Sequence, residues 1–221
     1  MIFDWVCSII KGLWLSGSVY VLGKILDEYV SGETKQLIIK ENSKLISDAE
    51  TAVQVNLLII SPFIYGAVDQ WYLVHQFAFS WLDFSALIVI QNLGYFFMHR
   101  EMHRNKKLFW IHQFHHQYDR LLIPSLGNAV SIFEFGIAYV VPIVLGAALL
   151  RPTEITYMSS IGLISVLNLI IHTQELGDLS WIPGLVSPKT HIAHHELRDK
   201  HYAAPLLDVD GLLDVWELVE K

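Results

Sequence analysis

The sequence has little of three things. Cysteine occurs once, at Cys7, which excludes an intrachain disulfide framework. Charged residues make up 17% of the 221 residues, against about 25% in an ordinary soluble domain. Lysine and arginine form no tract beyond Arg100 to Lys107, and the formal charge is −7, so nucleic-acid binding is not expected. There is also no glycine-rich dinucleotide fingerprint, no C-x-x-C-H, no low-complexity tail and no internal repeat. The N-terminus lacks the basic, apolar and small-residue order of a cleaved signal peptide, and none is expected. The length suits one compact domain rather than two.

What the sequence does have is apolar residues, at 53% with a positive mean hydropathy. They gather into four runs, Ala52 to Val68, Phe84 to Met98, Ala129 to Leu150 and Ile155 to Ile171. Asp69 ends the first, and Glu134 alone interrupts the third. A spanning helix needs about 20 mostly apolar residues, with a range near 17 to 25. A soluble protein with a large helical core is the alternative, but four such runs leave little polar surface to cover them. The expectation is an all-α integral membrane protein with about four transmembrane helices. Trp71 to Leu82 either extends a neighbouring span or lies along the interface. Trp5 to Leu26, which contains Lys11 and Lys24, is a fifth span or a surface amphipathic helix. Lys35 to Glu50 reads as a loop or surface helix.

Charge placement gives an orientation. Arg100, Arg104, Lys106 and Lys107 follow the second run directly, and such clusters stay cytoplasmic. Only Arg151 to Glu154 joins the third and fourth runs, so these form an antiparallel pair and His172 emerges on the same face as His99.

Nine of the eleven histidines fall in four groups. They are His99 with His103, then His112, His115 and His116, then His172, then His191, His194 and His195. Residues three or four apart share a helix face, so H-x-x-x-H aims two imidazoles at one point. In each H-x-x-H-H the adjacent histidine is turned away and can reach a second ion. Nine imidazoles exceed the four ligands of a tetrahedral zinc and suit two ions with open positions. Imidazole binds zinc, iron, copper and nickel alike, so ligand type does not choose among them. Neither box is H-E-x-x-H, and Glu101 points away from the direction shared by His99 and His103. His75 and His201 also admit an ordinary structural role.

In these residues the sequence resembles the fatty acid hydroxylase and sterol desaturase superfamily, from about Leu87 to Trp216. The matching pieces are FFMHREMHR (Phe96 to Arg104), HQFHH (His112 to His116), the lone His172, and HIAHH (His191 to His195). The resemblance implies a four-helix membrane scaffold with a cytosolic helical cap that holds two irons through His99, His103, His112, His115, His116, His172, His191, His194 and His195. The chain is expected to divide into residues 1–50, an N-terminal helix and polar connecting segment, and 51–221, a hydroxylase-like membrane domain with the histidine boxes. The resemblance implies O2-dependent hydroxylation or desaturation of a lipid or other long apolar substrate. Electrons would come from a separate carrier, cytochrome b5-like or ferredoxin-like. The membrane would be the inner membrane of a bacterium or the endoplasmic reticulum of a eukaryote. A metal-stabilised protein without redox chemistry and a zinc-dependent lipid hydrolase are the competing readings.

The sequence departs from the family pattern in places. Gln174 and Leu176 stand where the family often has Asn or a further histidine after His172. His201 stands in an Asn position and is a candidate added ligand, while Tyr202 and Asp210 match. The usual His-Pro is missing near Asn128 to Ser131, though Glu134 remains nearby. Asp119, Glu175, Glu196 and Asp210 lie close to ligands in sequence and are candidates for orienting imidazoles, with solvated surface acids as the alternative.

Overall fold

The computed structural model describes residues 2–118, 121–180 and 182–219. Asp119 lies outside the described residues. Among the described residues five helices are long and apolar enough to cross a membrane, where the sequence suggests about four. They are α1 (Ile2–Tyr29), α2 (Gly32–Trp71), α3 (Trp81–Arg104), α5 (Ile132–Leu150) and α6 (Glu154–Ile171). Shorter helices α4 (Phe109–His112), α7 (Pro188–Leu197) and α8 (Val209–Val219) belong to the region that follows α3 and α6.

The additional candidate span is α1, and its lysines explain how it enters the bundle. Lys11 Nζ lies 2.7 Å from Glu154 and 3.7 Å from Asp69. Lys24 pairs with Glu50 and lies 4.0 Å from Asp27. Both charges thus find acids on other helices or on α1 itself. Backbones also approach closely, since a β-carbon on Gly12 would stand 2.7 Å from Tyr65 Cβ on α2. The polar stretch before the first apolar run is helical too. It forms the start of α2, which bends at Asn42 (φ −156°, ψ 83°).

Two of the long helices widen by one residue at a proline. In α2 the π-turn Val55–Ile60 precedes Pro62, and the Ser61 N–H reaches back to the Asn56 carbonyl. In α5 the π-turn Phe135–Val140 precedes Pro142, and the Val141 N–H reaches the Gly136 carbonyl. Proline lacks the N–H and its ring crowds the carbonyl four residues back, so the ladder relaxes to the next carbonyl.

The helices alternate in direction. Thr153 forms a bridge with Val74, so the α2–α3 connection meets the α5–α6 turn at one end. The irregular segment between Trp71 and Trp81 lies there, with Trp81 edge-on to both Phe79 and Phe84 and a fully exposed Phe77. Aromatic groups of this kind suit a membrane–water interface. His99, His103 and His172 leave α3 and α6 at the opposite end. There Asn92 Oδ1 accepts from the Leu206 and Leu207 N–H groups at 3.0 Å each, tying the C-terminal segment to α3. Helix α7 is started by a capping box between Ser187 and Thr190, with Pro188 in its first turn.

Candidate metal centre

The nine clustered histidines form two groups at one end of the bundle. His99, His103, His112, His116 and His194 make the first; His115, His172, His191 and His195 make the second. Within each group the ligand atoms lie within 4.8 Å of one another. The two H-x-x-H-H segments divide alike. The first and last histidines go to one group, and the middle histidine goes to the other. His112 and His116 are thus separated from His115, and His191 and His195 from His194. Spacing four keeps two imidazoles on one face, and spacing three from the first crosses to the neighbouring group. The groups adjoin, with His116 and His195 ring centroids 4.9 Å apart.

The proton positions show what these rings can bind. His99 Nδ1 donates to the Tyr202 carbonyl at 2.7 Å, and His112 Nδ1 to Glu134 Oε1 at 2.7 Å. His172 Nδ1 donates to the Asn168 carbonyl at 2.7 Å, and His194 Nδ1 to the Lys200 carbonyl at 2.8 Å. A neutral imidazole carries one N–H, so in these four rings Nε2 presents a lone pair. Yet His99 Nε2 and His112 Nε2 lie 2.9 Å apart. His172 Nε2 lies 2.9 Å from His191 Nε2 and 3.4 Å from His115 Nε2. His194 Nε2 and both ring nitrogens of His195 are buried with no hydrogen-bond partner.

Protonating the rings does not relieve this crowding. Burial first, and the neighbouring imidazoles after it, hold His112, His115, His191 and His195 well below the ordinary imidazole range. Burial likewise lowers His116, and pushes His172 and His194 down to about 4. Neutral rings whose lone pairs converge at such distances repel unless a cation sits among them. The donor set fits two metal ions of the imidazole-binding kind.

Close backbone approach completes the second group. A β-carbon on Gly127 would stand 2.8 Å from His172 Nδ1 and 2.9 Å from Asn168 Nδ2, so only glycine leaves room there.

The remaining candidates fall elsewhere. His201 belongs to neither group and has a left-handed backbone, φ 59°. Glu175 orients no imidazole in this structure; it accepts from Ser31 and Thr34 hydroxyls and ties the α1–α2 junction to the segment after α6. Glu196 is exposed. Asp210 Oδ2 accepts from the Ala203 N–H at 2.7 Å, next to Tyr202, and so acts on His99 only through that turn. Burial holds the Asp210 carboxyl above its ordinary range. The acid that does meet a ring is Glu134, fully buried against His112. Its signal in the sequence is that it is the lone acid in an apolar run. His75 sits at the far end of the bundle, beside Asp69 and Glu154.

The profile of the fatty acid hydroxylase family matches residues 84–213, which contain all nine clustered histidines. The chain belongs to the fatty acid hydroxylase family. The resemblance read from the histidine segments is thereby shown, and the chain is a member of a hydroxylase and desaturase class with a candidate histidine metal site. It is 24% identical over 152 residues to a Delta(7)-sterol 5(6)-desaturase of Gibberella zeae, covering 65% of this chain and 46% of that protein. It is 28% identical over 124 residues to sphinganine C4-monooxygenase 1 of Arabidopsis thaliana, covering 53% of this chain and 47% of that protein. The chain thus spans about half the length of the curated relatives it matches. No solved structure matches it.

Proposed function

We propose that this protein is a di-iron, O2-dependent oxidoreductase of the membrane that hydroxylates a lipid or other long apolar substrate. The observation that carries the reading is the pair of largely buried imidazole groups, in which His99, His112, His172 and His194 turn a proton outward and a lone pair inward. The first group offers five ligands, more than a tetrahedral zinc takes. Two irons held there would supply the oxidising power for removal of hydrogen from an unactivated C–H bond. In the overall reaction one oxygen atom of O2 enters the C–H bond, and the other leaves as water with two electrons and two protons. The electrons come from a separate carrier protein.

The chain's own residues do three things in this scheme. The nine histidines hold the metals. Glu134 and the carbonyls of Tyr202, Asn168 and Lys200 fix four of the rings in the tautomer that ligates. Burial of the rings excludes water and keeps them neutral at physiological pH. Exposed Arg104, Lys106 and Lys107 at the same end suit a cytoplasmic face and an acidic electron donor.

Desaturation is the second reading, since one relative is named as a desaturase and the other as a monooxygenase. Both reactions begin with the same hydrogen removal. Lipid mass spectrometry under ¹⁸O2 separates them, comparing cells that express the protein with cells that express His115→Ala. One labelled oxygen in a lipid indicates hydroxylation, and loss of two hydrogens without label indicates desaturation. No oxygen-dependent change in any lipid, with a competent electron donor present, would sink both. Metal analysis after anaerobic purification should give two irons per chain.

A further inference from the structure

Between α1, α2, α3, α5 and α6 lies a cavity of about 120 Å³. At about 30 Å³ of liquid volume per water it has room for about four waters. That suits a short apolar segment, or the end of a longer chain whose remainder continues out of the cavity. Among the described residues none that lines it is charged. A carboxylate, phosphate or ammonium group inside it would have no counter-charge.

Four of the eight polar side chains of the lining are already used within the protein. Ser16 donates to the Gly12 carbonyl at 2.8 Å and Ser61 to the Asn56 carbonyl at 2.8 Å. Tyr65 donates to Glu154 at 3.0 Å and Tyr139 to the Gly127 carbonyl at 3.1 Å. Gln91 and Asn128 differ. They are 3% and 5% exposed, and Gln91 Oε1 and Asn128 Nδ2 have no hydrogen-bond partner. One is an acceptor and the other a donor, and both line this cavity.

The pair also marks one end. Asn128 follows Gly127, the residue packed against His172, while Tyr65 lies toward Glu154 and the far end. Gln91 precedes His99 by two helical turns on α3, about 12 Å along the axis at 1.5 Å per residue.

We infer that the cavity binds an uncharged, apolar molecule bearing a hydroxyl group, whose O–H donates to Gln91 Oε1 and whose oxygen accepts from Asn128 Nδ2. A hydroxyl is the simplest neutral group that is both donor and acceptor. The hydrocarbon runs toward Tyr65, and the oxygen sits at the end nearest the histidines. Identifying this ligand as the substrate rests on the oxidoreductase reading; the binding site itself does not.

The test uses the full chain with its metals, in lipid nanodiscs and without reductant, so that no turnover occurs. The probe is a decanol with a diazirine at its chain end, and the competitors are decanol, decane and decanoate at matched membrane concentrations. Photolysis should label peptides that line the cavity. Decanol should compete about tenfold better than decane, the effect of one or two added neutral hydrogen bonds. Decanoate should compete worst. Gln91→Leu and Asn128→Leu should each shrink the preference for decanol over decane while metal content stays at the wild-type level. Equal competition by decanol and decane in the wild-type protein would overturn the inference whatever the variants do. So would labelling confined to the outer helix faces, or decanoate as the best competitor. A protein that prefers decanol but oxidises no lipid keeps this site and loses the oxidoreductase reading. A protein that oxidises lipid without any preference loses this site alone.

Discussion

The two ends of the bundle both gather buried polar groups, and they balance them in opposite ways. At the far end the groups largely satisfy one another, although Asp69 Oδ1 keeps no hydrogen-bond partner. Asp69 accepts from the Ser8 hydroxyl at 2.5 Å, and Lys11 stands against Asp69 and Glu154. Tyr65 donates to Glu154, and Gln70 donates to the Ser8 hydroxyl. Positive and negative charges meet, and hydroxyls fill the gaps. At the histidine end four rings turn their protons outward, to carbonyls and Glu134, and turn lone pairs toward one another. Like groups meet there. A polar cluster that closes on itself staples helices together. A cluster that sets acceptors such as His99 Nε2 and His112 Nε2 only 2.9 Å apart is built around something positive.

That contrast is sharpest in ligand removal. His115→Ala or His194→Ala should lower activity by more than the roughly 10- to 100-fold that loss of a supporting residue costs. Each variant should also lose metal from its own group while the helices remain assembled. Metal content per chain and helical content in detergent are the measurements. A variant with wild-type metal content and activity would refute the assignment of that histidine.

Next comes the acid behind the ring. Glu134→Gln keeps the shape but weakens the bond to His112 Nδ1, so activity or metal affinity should fall about 10- to 100-fold. Titration with iron, followed by chelator competition, reads the affinity. Unchanged affinity and activity would mean that His112 needs no orienting acid.

Acid should distinguish the ends as well. In the unfolded chain an imidazole titrates near 6.5, whereas burial pushes His172 and His194 down to about 4 in the folded chain. Between those values the unfolded state binds more protons. The stability that these rings contribute is therefore complete above about pH 6.5 and is lost as pH falls toward 4. Metal-stripped protein in detergent should show an unfolding temperature that declines across this window. Metal-loaded protein should hold its temperature further down before it releases metal. A flat profile for the stripped protein between pH 6.5 and 4 would contradict the burial argument.

How much of this is legible in the sequence depends on whether the partners are near or far along the chain. The four apolar runs and the sharing of one end by His99 and His172 follow from length and from the short Arg151–Glu154 turn. The H-x-x-H-H spacing allows two ways of dividing the histidines, and the folded chain uses the same one twice. Helix α1 is harder to read, because Lys11 and Lys24 look like an exposed face until Glu154 and Glu50 are brought to them from other helices. Glu134 is visible as an acid in an apolar run, but its partner His112 lies 22 residues away. Glu175 misleads for the same reason in reverse. It is three residues from His172, yet its partners are Ser31 and Thr34.

At the far end, Lys11→Ala should cost stability and spare chemistry. It removes the cation facing Asp69, which is only 1% exposed, and leaves the hydroxyl of Ser8 as a partner. Because Lys11 itself is 40% exposed, water replaces part of what is lost, and about 1–3 kcal/mol is the expected scale. Thermal unfolding in nanodiscs measures it. Activity per folded molecule should stay within about twofold of wild type, well under the loss expected behind a metal-bound ring. A fall in metal content as large as that of Glu134→Gln would show that the two ends are not independent.

The smallest effect should come from His75→Ala, and it is the most direct test of the contrast. His75 Nδ1 stands 3.7 Å from Asp69 Oδ1 and 3.9 Å from Glu154 Oε2, too far for a hydrogen bond to either. Its side chain is 55% exposed, so an ion pair there is screened by water. Asp69, His75 and Glu154 do have ligand atoms within 4.8 Å of one another, which by distance alone resembles a metal group. Lys11 decides against that reading, because its ammonium already faces both acids and a second cation would have to displace it. Stability of His75→Ala should therefore stay within about 0.5 kcal/mol of wild type, as for an ordinary surface change. Metal per chain and activity should match wild type. A drop of one metal ion in His75→Ala, with both histidine groups intact, would mean that the far end also binds metal, and the contrast between the ends would fail.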